Sequence, residues 1–226
     1  MKPYFQDDAV QIKDYTVRQI PASQTYEWLL KKHYVHRIPP ISFAFGLYSV
    51  DNILQGVCTL GIPASRFNLN NTVYELNRLV VNIGLPSGTL SYFVARCLKL
   101  FPERPVIIVS YADANVGHHG YIYQSTNWLY TGLSASEDNF IVDGKQLHRK
   151  TLYNIYGISS VSGLAKQHEV KIEEQSGKHR YFMFLGSKSQ VKEIKKNFPY
   201  QQIPYPKGDN QRYDASYEPP TQGVLV

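Results

Sequence analysis

The chain has 226 residues, 43% of them hydrophobic, and its 24 Lys and Arg outnumber 18 Asp and Glu to give a formal charge of +6. That length and apolar content support one compact domain with extensions, and the first residues lack the basic-then-apolar pattern of a secretion signal. No window approaches the roughly 18 apolar residues of a membrane span, and Cys58 and Cys97 sit in separate apolar runs that read as buried thiols, so a soluble protein of a reducing cytoplasm is expected.

In chain order, VQIKDYTVRQI (10–20) alternates as a strand. SQTYEWLLKKHYVHR (23–37) then places Tyr26, Leu29, Leu30, His33 and Tyr34 at helical spacing on one face. ISFAFGLYSV and ILQGVCTLGI flank the turn pair Asp51-Asn52 and predict an antiparallel hairpin. TVYELNRLVV is apolar on both faces, as a central strand should be, but Glu75, Asn77 and Arg78 interrupt it. After Pro86, Leu90, Phe93, Val94, Cys97, Leu98 and Phe101 have the spacing of a core-facing helix. RPVIIVSYAD is a short buried strand that ends in polar residues, GYIYQSTN a brief helix and WLYTG another strand, while HEVKIEEQ, SGK and RYFMFLG predict a late hairpin. Residues 1–198 are expected to form one domain, and 199–226, polar with Pro and Gly, a tail that wraps on the surface or is disordered.

A hairpin, a central strand, a crossover helix, a next strand, a short helix and a strand ending near Gly resemble the GNAT acyltransferase fold over roughly residues 40–135. YIYQSTNWLYTG is similar to the LYEKLGF helix-to-strand signature of those enzymes. The resemblance implies an α+β domain, a mixed central sheet flanked by helices and opened by a splayed pair of strands, with the late hairpin appended. Those enzymes hold the pyrophosphate of coenzyme A on a Gln/Arg-x-x-Gly-x-Gly/Ala loop at a helix N-terminus. Here NIGLPSGTLS lacks that pattern, which argues against acetyl-coenzyme A as donor.

SYADANVGHHGYIYQSTNWLYTG (110–132) is dense in polar and aromatic residues, as a pocket would be. Asp113 follows a buried strand at its C-terminal end, where open sheets bind ligands, and either accepts a proton or caps the DANVG turn. His118 offers a second acid or base, or a loop residue and no more. Arg78, placed by alternation on one face with Leu76 and Val80, needs a carboxylate such as Asp113 or an anionic ligand. Ser91 falls in a first helical turn, where amides favour an anion or the residue simply starts the helix. His33 and Tyr34 read as packed core or as site; of Tyr121 and Tyr123, two apart, one lines the pocket; Trp128 stacks on a base or fills the core. Basic clusters at KQLHRK (Lys145, Arg149, Lys150), GKHR (Arg180) and KSQVKEIKK favour a polyanion. No CxxC or HExxH metal motif occurs.

Together ELNRLVV, SYFVARCLK, the 110–132 segment and KKHYVHR closely resemble the Mom family of phage DNA-modification proteins over roughly residues 25–185. The resemblance implies an enzyme that converts adenine in double-stranded DNA to an N-carbamoylmethyl form, shielding phage DNA from restriction. Its functional residues fall on Arg78, Asp113, Tyr123, Ser91, His33 and Tyr34. It also implies an iron requirement, for which Asp113, His33 and Tyr34 would be the ligands. The group donor, acyl or glycyl and small-molecule or carrier-bound, is open, as is assembly into a homodimer. Two other readings stay open: an N-acetyltransferase acting on a protein or small amine, and a DNA-binding module without catalysis.

Overall fold

The structure, a computed structural model, describes residues 11–209 apart from 66, 68, 137, 159 and 174. Its first strand, β1 (Thr16–Gln19), starts later than the alternation predicts, because Ile12–Asp14 closes a 3-10 turn in which Asp14 accepts the Gln11 N–H at 2.7 Å. The expected amphipathic helix is a 3-10 turn (Ala22–Thr25) leading into a wide π-helical turn (Trp28–Lys32). That widening rotates the face: Trp28 and Leu29 are buried, whereas Tyr26 and Leu30 are exposed. The turn ends at Lys32, so His33, with φ −78° and ψ 133°, lies on extended chain and not on a helix.

Strands β2 (Phe43–Tyr48) and β3 (Leu54–Gly61) form the predicted hairpin, with Asn52 at φ 59° in its turn, and β4 (Val73–Val81) follows. Helix α1 (Thr89–Leu100) crosses to β5 (Val106–Ala112), and α2 (Tyr121–Ser125) leads to β6 (Leu129–Leu133). An excursion then holds β7 (Asn139–Val142), β8 (Lys145–His148), α3 (Arg149–Tyr156), α4 (Val161–Leu164) and β9 (Val170–Glu173). The chain returns through β10 (His179–Leu185) to α5 (Lys188–Lys196).

The main sheet has the order β1-β2-β3-β4-β5-β10-β6 and is antiparallel except between β4 and β5. This is the mixed sheet flanked by helices that the sequence predicts. The late hairpin is not formed: β9 pairs with β7 in a separate three-stranded sheet, while β10 enters the main sheet between β5 and β6. Alternation marked both strands correctly, but it does not specify a partner.

One face of the sheet is covered by α1, whose Phe93, Val94, Cys97 and Leu98 pack with Phe45, Leu47, Leu60, Leu76 and Ile108. Each such fully buried side chain contributes about 1.5–3 kcal/mol. Cys58 and Cys97 are both in this layer as free thiols, as the sequence predicts. The other face takes Trp28 and Leu29 over β2 and β3, and α5 with Phe198 and Tyr200 over β5 and β10. The excursion has its own small core of Phe140, Val142, Leu152 and Leu164. Residues 198–208 wrap the main sheet: Tyr200 stacks on Phe182, the Ile203 N–H donates to the Tyr130 carbonyl at 3.0 Å and Tyr205 Oη donates to the Trp128 carbonyl at 2.6 Å.

Candidate functional site

The site is made where two neighbouring strands part. β4 and β5 pair only from Val73↔Ile107 to Leu76↔Ser110; beyond that, β4 stays with β3 and β5 with β10. At the last pair Ser110 Oγ donates to the Leu76 carbonyl at 2.8 Å and lies 2.7 Å from Tyr123 Oη, so a hydroxyl pair marks the apex of the opening. Burial drives the Tyr123 phenol far above its usual pKa, with the Ser110 bond opposing, so it stays neutral.

A β-bulge decides what faces this opening. Between Thr59↔Arg78 and Leu60↔Leu76 the register shifts by one residue, leaving Asn77 as the extra residue on β4. Leu76 therefore points into the α1 layer, whereas Arg78 shares the opposite face with Val80. This corrects the simple alternation, which put Leu76 and Arg78 on one face. Asn77 ties the bulge down, accepting from Thr59 Oγ1 at 2.6 Å and donating to the Pro40 carbonyl at 2.9 Å.

Arg78 donates from Nη1 to the Asn77 carbonyl at 2.6 Å, and its buried Nε has no hydrogen-bond partner among the described residues. Burial pushes its pKa down, Tyr34 and Glu75 counteract and Arg37 adds to the fall, yet a guanidinium stays charged. Of the two alternatives for Arg78, the ion pair with Asp113 is not made: the Asp113 carboxylate faces Lys178, with Nζ 3.5 Å from Oδ2. Its other oxygen, Oδ1, accepts from the Asn115 N–H at 3.0 Å and caps the DANVG turn. Of the two roles weighed from sequence, the structure shows the cap, through Oδ1, while Oδ2 faces Lys178.

His33 and Tyr34 reach the same place from the N-terminal segment. Their rings stack at 4.5 Å, and the His118 ring meets Tyr34 edge-on at 5.6 Å. The His33 pKa falls to about 3, first through burial and then through Arg78, His36 and His118. A neutral ring whose Nδ1 accepts the Val35 N–H at 3.1 Å carries its proton on Nε2. Tyr34 is raised by burial and then by Asp113, with Arg78 opposing; His118 is lowered by burial, with Asp113 opposing. Glu75 and Tyr111 also belong here. Burial raises the Glu75 carboxyl, against Arg78, the Ala64 amide and Lys178, and burial with Glu75 next pushes Tyr111 up to about 12. Sequence reasoning marked Glu75 only as a polar interruption and missed Tyr111. The signal for Tyr111 was its place beside Ser110 in SYAD.

Other predicted residues lie elsewhere. Trp128 offers no plane to a base: it is 1% exposed in the α1 layer, against Tyr123 at 5.1 Å. Ser91 Oγ is 2.8 Å from Ser125 Oγ and joins α1 to α2 across the sheet from Arg78. Tyr121 Oη donates to the Gly208 carbonyl and holds the C-terminal segment. Arg180 donates to Thr131 Oγ1 at 2.9 Å and lies over the Tyr200 ring at 4.2 Å. Lys145 lies in β8, and Arg149 and Lys150 open α3, all on the excursion.

Of the residues expected to hold iron, His33 accepts the Val35 N–H on Nδ1 and Asp113 is shared between a turn and Lys178, and the described residues hold no group of three or more His, Cys, Asp and Glu placed for a metal ion. Among the described residues no helix is long and apolar enough to cross a membrane.

A sequence model of the Mom protein family matches residues 14–207. The methylcarbamoylase mom of Escherichia phage Mu is 26% identical in an alignment 215 residues long that covers 87% of this chain and 88% of that one. The spermidine N-acetyltransferase of Vibrio cholerae, solved with coenzyme A and spermine, superposes with a TM-score of 0.44 at 10% identity, covering 79% of this chain and 98% of that one.

Proposed function

The chain belongs to the Mom protein family, and on that premise we propose that it is a transferase that modifies the exocyclic amine of adenine in DNA, leaving a carbamoylmethyl group. The observation that carries this reading is the convergence, at the parting of β4 and β5, of a half-buried guanidinium, a carboxylate and a stack of rings from three separate segments.

Each part has a task. The amine of adenine is a poor nucleophile hidden in the duplex, so the base must be extruded before it can react. Tyr34, backed by His33 and edged by His118, gives the flat surface on which a purine stacks, the role first expected of Trp128. Asp113 Oδ2 takes a proton from the amine as its nitrogen bonds to the donor's carbon, and Lys178 keeps that oxygen oriented. Arg78 presents the outer N–H groups of its guanidinium to the donor's carbonyl oxygen as charge builds there.

A glycyl donor, small or carrier-bound, fits the product. Its carbonyl carbon bonds to the adenine amine, the leaving group departs, and the amine proton passes to Asp113. The glycyl nitrogen then attacks the ring carbon, the original carbon–nitrogen bond breaks, and the freed amide terminates a carbamoylmethyl group with every atom retained. An acetyl group lacks the nitrogen for this step.

The test is mass spectrometry of nucleosides from plasmid DNA of cells expressing the protein, beside Asp113→Ala at equal expression. A deoxyadenosine heavier by one glycyl unit with the intact protein, and at least about 100-fold rarer with the variant, is expected. Incorporation of both labels from doubly labelled glycine identifies the donor. Unmodified DNA, with acetyl-coenzyme A bound to the purified protein, would move the function to an ordinary acetyltransferase.

A further inference from the structure

We propose that Asn115 is a positioning residue: its side-chain amide fixes the carboxylate of Asp113 and ties it to the stem of the excursion formed by β7, β8, α3, α4 and β9. This rests on the reading of Asp113 as the group that takes the amine proton.

The excursion leaves the main sheet after β6 and returns just before β10, at a narrow stem. The Ser134 N–H donates to the Lys178 carbonyl at 2.8 Å, and the Lys178 N–H donates back to Ser134 Oγ at 3.0 Å. Gly177 makes this closeness feasible, since a Cβ there would lie 1.9 Å from the Ser134 carbonyl oxygen. The stem lies directly against the Asp113 turn.

One side chain joins the two. Asn115 Nδ2 donates to Asp113 Oδ1 and to the Ser176 carbonyl, each at 3.2 Å. Asn115 Oδ1 accepts from the Ser176 N–H at 3.1 Å and from Ser176 Oγ at 2.9 Å. Two residues further on, Lys178 holds the second Asp113 oxygen. Both oxygens of the carboxylate are therefore oriented by groups on, or bonded to, the stem.

These bonds are solvent-exposed, so they add little to stability. Their effect is on direction. Misplacing a reacting group by about 1 Å can cost about a hundredfold in rate. Asn115→Ala leaves Asp113 its bond from the backbone N–H of residue 115 and the contact with Lys178, but removes the side-chain bond to Oδ1 and the tie to the stem, so that the carboxylate and its turn loosen; Asn115→Asp keeps the acceptor for Ser176 but sets a like charge beside Asp113.

The experiment measures three quantities on the full chain: the rate at which adenine in plasmid DNA becomes modified at equal expression, the affinity for a fluorescent DNA duplex, and the thermal midpoint. Asn115→Ala is expected to lower the rate roughly tenfold to a hundredfold with affinity and midpoint unchanged, and Asn115→Asp at least as far. Ser176→Ala, which removes one of the bonds to Asn115, lowers it less, and adds nothing to Asn115→Ala. A wild-type rate in Asn115→Ala, or additive effects of Asn115→Ala and Ser176→Ala, overturns the proposal. If no sample, wild type included, modifies adenine, the transferase reading fails instead. The tie is then read in the free protein by hydrogen exchange: Asn115→Ala should speed exchange of the 113–118 turn and the 175–178 stem together, and an unchanged stem overturns it.

Discussion

Arg78 is the residue whose environment makes least sense without a ligand. A guanidinium with a buried, unpartnered Nε and no carboxylate within ion-pair range among the described residues does not stabilise the fold. Arg78→Met should therefore leave thermal stability equal or higher while lowering adenine modification roughly 100–1000-fold. Arg78→Lys should not restore it, because a point charge cannot reproduce the planar N–H fork. A calorimetric scan and nucleoside mass spectrometry decide: a destabilised Met variant would make Arg78 structural. His33 gives a pH signature. Its folded pKa, about 3, lies below the ordinary 6.5, so between those values the unfolded chain binds the extra proton. Stability from this group is complete above pH 6.5 and falls as pH drops toward 3, by at most about 1.4 kcal/mol for each pH unit. Glu75, with its raised pKa, acts in the opposite direction, so the difference from a variant is the clean measure. In His33→Asn, whose Oδ1 can accept the Val35 N–H, denaturant titrations from pH 7 to 4 should show a flatter decline; parallel curves for the two proteins would refute the shift.

At the scale of elements, the bulge on β4 sets the site. Asn77 spends its side chain on Thr59 and Pro40, and this keeps Arg78 out of the α1 layer. Asn77→Ala should cost about 1–3 kcal/mol in chemical denaturation and Thr59→Val, which removes only one bond, about half as much. A neutral Asn77→Ala would mean that strand pairing alone holds the bulge. The same element shows how far the sequence could be read. ELNRLVV identified a central strand interrupted by an Arg, because apolar runs and a charged interruption are local signals. The face on which Arg78 lies was not local: it follows from one unpaired residue in a ladder with β3. His33 and Tyr34 failed differently. Their periodicity was helical, but the turn widens and stops at Lys32, and tertiary burial of Trp28 and Leu29 fixed the exit. Of the aromatics in the 110–132 segment, Trp128 could not be assigned from sequence, since a strand-initial Trp fits a core as well as a stack. The excursion, made of four-residue strands and short helices, gave too few periods to be recognised.

At the scale of the molecule, charge and topology together assign the two sides of the sheet different work. The excursion, although it bears Lys145, Arg149 and Lys150, carries five Lys and Arg against six Asp and Glu between residues 135 and 176, and so exerts no net pull on a polyanion. A basic cluster lies on the face opposite α1. There α5 packs by Val191 and Ile194 and leaves Lys188, Lys192, Lys195 and Lys196 exposed, with Arg180 on the same face and Arg78 in the cleft. A duplex lying on this face would place its phosphates over α5 and an extruded base at the parting of β4 and β5. Each neutralised phosphate contributes about 0.9 to the slope of log affinity against log salt concentration. Changing the four α5 lysines to Gln should therefore reduce that slope by roughly 2–4 and weaken duplex binding at low salt, without altering the thermal midpoint. Lys145→Gln should leave the slope within about 1 of the wild type. Fluorescence anisotropy across a salt series measures both. A slope that follows Lys145 and ignores α5 would put the DNA on the excursion, and would make contact with the stem beside Asn115, not the α5 face, the route by which substrate meets Asp113.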